Sequence, residues 1–133
     1  MGSTSQAGRR RALALVGVAE LFAMTLWFSA SAVAPELSAT WGMTATEEGL
    51  LTTAVQLGFV AGALASAALT LADVIRPKVL FAASAFAGAA ATAAIALAVH
   101  APEPAIALRF VTGVALAGVY PTGMKMLAGW FRE

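Results

Sequence analysis

Four apolar stretches, over residues 12–34, 49–72, 79–99 and 105–131, are each long enough to cross a lipid bilayer, and short polar connections separate them. A helix needs about 20 apolar residues to span a hydrocarbon core about 30 Å thick. Within lipid only a helix or a closed barrel satisfies its own backbone, and runs of this length read as helices. The composition agrees, with 60% hydrophobic residues and only 11% charged. Soluble domains carry roughly 45–50% apolar and about 25% charged residues, so this chain has too few charges to cover a water-facing surface. The expected fold is an all-α integral membrane protein with four transmembrane helices.

Local signals punctuate these segments. Pro35 is expected to stop the first helix, because proline removes a backbone donor and clashes with the preceding turn. Thr44-Ala45-Thr46-Glu47 has the pattern of a capping box, and Glu47 and Glu48 complement a positive helix N-terminus. Pro77 and Pro104 fall where the third and fourth helices begin, the place that tolerates proline best. Basic residues set the orientation. Arg9, Arg10 and Arg11 precede the first helix, Arg76 and Lys78 lie between the second and third, and Arg132 follows the fourth. The other two connections hold Glu36, Glu47, Glu48 and Glu103 and no Lys or Arg. The positive-inside rule then places both termini in the cytoplasm. The expected order is a basic cytoplasmic tail over 1–11, spans over 12–34, 49–72, 79–99 and 105–131, extracytoplasmic loops over 35–48 and 100–104, a cytoplasmic loop over 73–78 and a cytoplasmic end at 132–133. The first segment is too long for the apolar core of a signal peptide, so it is read as a retained span. The expected location is the inner or plasma membrane.

Glu20 and Arg109 each interrupt an apolar stretch. A charge at the centre of a membrane helix costs roughly 2.5–3.5 kcal/mol on insertion scales. Such residues usually face a protein interior or a water-filled path, and they mark ion or substrate routes. At 100° per residue, Glu20, Met24, Trp27 and Ser31 share one side of the first helix, while Arg109, Gly113, Leu116, Tyr120 and Gly123 share one side of the fourth. Glu20, Trp27, Gln56, Arg109 and Tyr120 are therefore the expected pathway residues. Lys125, near the cytoplasmic end of the fourth segment, is expected to snorkel to the interface. On the second helix, Gly58, Gly62 and Ser66 form a small-residue strip that lets another helix approach. The third helix, with Ser84, Gly88 and Thr92 at four-residue spacing, reads as packing only. Pro121 between Gly118 and Gly123 predicts a kink, and Gly118 and Pro121 are the expected hinge.

The run Arg109-Phe110-Val111-Thr112-Gly113, continuing through Gly118 to Tyr120-Pro121, resembles the fourth helix of major facilitator superfamily transporters, where an Arg is followed four residues later by Gly. Leu26-Trp27-Phe28-Ser29-Ala30, leading to Ala34-Pro35-Glu36-Leu37, resembles the first helix of bacterial members. Between the second and third helices that family carries a Gly, an acid four residues on, and a basic cluster around a second Gly. Here Asp73 and Lys78 match, while Leu69 and Arg76 replace the glycines. The resemblance implies the first part of an N-terminal six-helix bundle, with helices one and four lining a central cavity. It also implies a role for Arg109 in proton coupling or substrate charge, and a cytoplasmic latch involving Asp73, Arg76 and Lys78. Glu20 is no motif position and stands on its burial alone.

Superfamily transporters have two six-helix halves built from three-helix repeats, so a fragment of a longer, ion-coupled secondary transporter is expected. Its partners would be the bilayer, a small solute, protons and further helices, with no nucleic acid. Two alternatives share some of these features. One is a four-helix exporter of the small multidrug resistance type, with its glutamate in the first helix. The other is a non-transporting membrane subunit that binds partner helices. The chain has no cysteine and one histidine, and it lacks a nucleophile motif and a phosphate loop. No enzymatic activity and no metal or other cofactor are expected.

Overall fold

A computed structural model describes residues 2–131, which form α1 (Gly2–Trp41), α2 (Ala45–Ala68), the short α3 (Leu71–Val74), α4 (Pro77–Ala98), α5 (Pro102–Leu116) and α6 (Tyr120–Trp130). Arg132 and the end segment 132–133 lie outside the described residues. Among the described residues four stretches are long and apolar enough to cross a membrane: α1, α2, α4, and α5 with α6 taken together. Side chains such as Leu15, Phe86 and Leu97 are 72%, 78% and 81% exposed. Lipid, not water, is the solvent that suits such a surface.

The first helix does not stop at Pro35. It runs 40 residues with Pro35 inside, about 60 Å and so longer than the bilayer core is thick. Proline removes one intrahelical bond, but the turns beyond it gain packing, because Leu37 and Trp41 lie against the buried cluster of Leu51, Ile95 and Ala105. The helix ends where Gly42 takes a left-handed φ of +62° and Met43 N–H donates to the Ser38 carbonyl at 3.1 Å. This is the Schellman ending that glycine permits.

The capping box then opens α2. The Thr44 hydroxyl accepts from Glu47 N–H at 3.3 Å, and the Glu47 carboxylate accepts from Thr44 N–H at 2.7 Å. Helix therefore begins at Ala45, and residues 35–48 are mostly helical where the sequence suggested a loop. Asp73 likewise lies within the single turn of α3. Pro77 opens α4, and α5 starts at Pro102 with Pro104 inside its first turn.

The fourth span is broken. Gly118 N–H and Val119 N–H reach back only three residues, to Ala115 and Leu116, at 3.0 Å each. Pro121 has no N–H to offer the Ala117 carbonyl, so the tighter turn over 117–119 replaces regular helix.

The most extensive interface joins α2 to α5. Gly58 and Gly62 on α2 face the backbone of Phe110 and Val114, and Gly113 on α5 faces the backbone of Val55 and Phe59. A Cβ at any of the three would collide with backbone atoms, which is how small residues bring two membrane helices together. Above and below this crossing lie the buried clusters of Leu51, Ile95 and Ala105, and of Ala23, Val55, Leu116 and Val119.

Candidate functional site

Arg109 is fully buried, at 0% exposure, where α1, α2 and α5 meet. Its guanidinium donates to three backbone carbonyls: Leu51 at 3.3 Å, Leu26 at 2.8 Å and Trp27 at 2.5 Å. These acceptors lie inside α2 and α1, and each carbonyl has a second lone pair beyond its helical bond. The planar fork of arginine can reach all three, whereas a point-like ammonium cannot. Thus Arg109 neither snorkels outward nor lies on an open face. It ties the middle of α1 to the α2–α5 pair.

Glu20 has a different environment. Its side chain rests against Gly123 on α6, where a Cβ would overlap the carboxylate. Oε1 is sealed from solvent and has no hydrogen-bond partner among the described residues. Glu20 and Arg109 do not pair: six or seven residues of α1, about 10 Å, separate Glu20 from the carbonyls that hold Arg109.

One turn further along α1, the sulfur of Met24 accepts from the Tyr120 hydroxyl at the start of α6. Trp27 and Phe59 pack edge-to-face with centroids 5.4 Å apart, and Phe59 and Tyr120 do the same at 6.1 Å. Ser31 and Thr52 hydroxyls bond at 2.9 Å, and Gln56, one turn on along the same side of α2, is exposed. The structure thus gathers Glu20, Trp27 and Tyr120 on one partly open face of α1 and α6, with Gln56 at its α2 margin. Arg109 lies behind that face.

Phe59 was missed by sequence reasoning, since one aromatic residue in an apolar helix carries no signal of its own. Lys125 was read only as a snorkelling residue. Its exposed ammonium in addition pairs with Asp73 at 2.6 Å and donates to the Ala72 carbonyl at 2.7 Å. Arg76 and Lys78 are exposed beside this pair and have no ion pair among the described residues. Gly118 lies against the Ser84 side chain, and Ser66 is half-buried beyond the α2–α5 crossing. The third span also borders a cavity. Thr92, whose buried hydroxyl is unpartnered, lines a mostly apolar cavity of about 500 Å³ with Glu36, Trp41, Ile95 and His100.

Comparison with known proteins gives one result. The family profile of the Major Facilitator Superfamily matches residues 16–133. No curated protein and no solved structure matches the chain.

Proposed function

Since the chain belongs to the major facilitator superfamily and is a transporter of that kind, we propose that it moves a small solute by ion-coupled secondary transport, with Glu20 as the coupling carboxylate. A family match that reaches into all four spans, over residues 16–133, favours this reading over the small multidrug resistance type. In this reading the protein is a carrier and not an enzyme, and it lies in the inner or plasma membrane.

The observation that carries the proposal is the Glu20 carboxyl, half-buried against Gly123 with Oε1 unpartnered. A membrane carboxyl with no fixed cation is free to exchange a proton or meet a passing charge. Trp27, Gln56 and Tyr120 line the same route, and further helices of a longer transporter close it. Arg109 acts from behind by fixing α1 against α2 and α5. The Asp73–Lys125 pair, with Arg76 and Lys78 beside it, forms the cytoplasmic latch, and the break over 117–119 before Pro121 is the hinge.

Measuring membrane yield beside proton-linked uptake in vesicles carrying the full-length protein tests this. Glu20→Gln should insert normally while losing uptake or its dependence on the proton gradient. Normal uptake with normal pH dependence removes Glu20 from the mechanism.

A further inference from the structure

The sign of the charge that this face can accept follows from where the fixed charges already are. Within the apolar stretches 12–34, 49–72, 79–99 and 105–131 there are two cationic side chains, and both are engaged. Arg109 is sealed at 0% exposure on three carbonyls, and Lys125 holds Asp73 at 2.6 Å. Neither is available to meet an anionic solute. By contrast Glu20 has no cationic partner among the described residues, and its Oε1 is buried without a donor.

The surroundings of Glu20 also select the size and character of the ligand. Among the described residues no three His, Cys, Asp or Glu side chains cluster as they would around a metal ion. A single carboxylate beside a thioether and aromatic rings offers too few oxygens for a small hard cation, which takes six or more. Met24 lies one turn from Glu20, and Trp27 two turns, about 10 Å along the same side of α1. Phe59 and Tyr120 extend the aromatic wall from neighbouring helices, packed edge-to-face along the series Trp27, Phe59 and Tyr120. Ring faces attract cations, most strongly when water is excluded.

We propose that the face formed by Glu20, Met24, Trp27, Phe59 and Tyr120 binds a lipophilic organic monocation, its charge opposite Glu20 and its apolar body against the aromatic rings. The inference rests on reading this face as the solute route, and it adds the chemical class of the solute. Gly123 is part of the site, because the missing Cβ is what lets the carboxylate seat against α6.

Equilibrium binding of radiolabelled tetraphenylphosphonium to the purified chain in detergent micelles tests the proposal, with tetraphenylborate measured in separate samples and empty micelles as background. The two probes share shape and apolarity and differ in charge sign. Saturable binding of the cation alone is expected. Glu20→Gln should weaken it by at least about tenfold, and Glu20→Asp, which keeps the charge, should retain most of it. Equal saturable binding of the anion, an unchanged affinity in Glu20→Gln, or no saturable binding of the cation each overturns the assignment. The two-probe comparison on the unaltered protein stands even where a variant folds poorly. The uptake experiment fails independently: cation binding lost in Glu20→Gln beside normal proton-linked uptake leaves the site and removes the coupling role.

Discussion

Replacing Arg109 should separate what its charge costs from what its hydrogen bonds return, and the apolar replacement should be better tolerated than the charged one. Hydrogen bonds between membrane helices average about 0.6 kcal/mol and reach about 1.7. The three bonds of Arg109 to Leu26, Trp27 and Leu51 therefore contribute roughly 2–5 kcal/mol. The charge itself costs roughly 2.5–3.5 kcal/mol at a helix centre. Arg109→Met gives up both, and the abandoned carbonyls keep their helical partners, so the net change should stay within about 2 kcal/mol. Arg109→Lys keeps the charge but cannot span carbonyls on two helices, so it loses one or two bonds without compensation and should cost about 1–3 kcal/mol. Unfolding titrations in mixed micelles, read by circular dichroism, give the order. Wild type and Met should be close, with Lys the least stable. If Lys matches wild type while Met is much weaker, the carbonyl cradle is not what holds Arg109, and the account of α1 attachment fails with it.

Three further outcomes follow from the same geometry. Gly113→Ala places a methyl on the Val55 backbone and should destabilise the α2–α5 crossing by about 1–3 kcal/mol, whereas Gly17→Ala, with open space around it, should be nearly neutral; equal effects in the same titration would contradict the close approach. Cysteines at Gln6 and Ala39, both exposed and at opposite ends of α1, should label oppositely with an impermeant thiol reagent on intact cells, Ala39→Cys reacting and Gln6→Cys protected. Equal labelling overturns the orientation. Pro121→Ala gives the Ala117 carbonyl a donor again and should join α5 to α6, drawing Gly118 away from Ser84. In membrane vesicles, uptake should then fall more than folded yield, and a fall in yield alone marks the break as a packing feature.

Features confined to one segment were readable from sequence. Span existence follows from run length, the Thr44–Glu47 cap from a four-residue pattern, and the shared side of Glu20, Met24 and Trp27 from helical period. Pro35 was misread because its local penalty competes with packing of Leu37 and Trp41 that only the assembled helices supply. A usable stop signal did exist at Gly42. The partners of Arg109 left no trace, since backbone carbonyls are the same for every residue type and lie 58 to 83 residues away in the chain. Lys125 and Asp73, 52 residues apart, show the same limit: each end was visible as a charge, the pairing was not.

The contrast between the two intramembrane charges has a general cause. Inside an α-helix every N–H donates to its own helix, while every carbonyl keeps a spare lone pair. A bundle of helices can therefore solvate a cation with backbone alone, and Arg109 is absorbed in this way by Leu26, Trp27 and Leu51. It cannot do the same for a carboxylate, which needs donors. Free donors occur at helix starts, and Glu20 does lie beside the beginning of α6. Yet Pro121 has no N–H there, and the Gly123 N–H is committed to the Val119 carbonyl at 2.9 Å. Two of the backbone positions nearest Glu20 at that helix start thus offer it no donor. One charge becomes structure, and the other keeps an oxygen without a donor among the described residues.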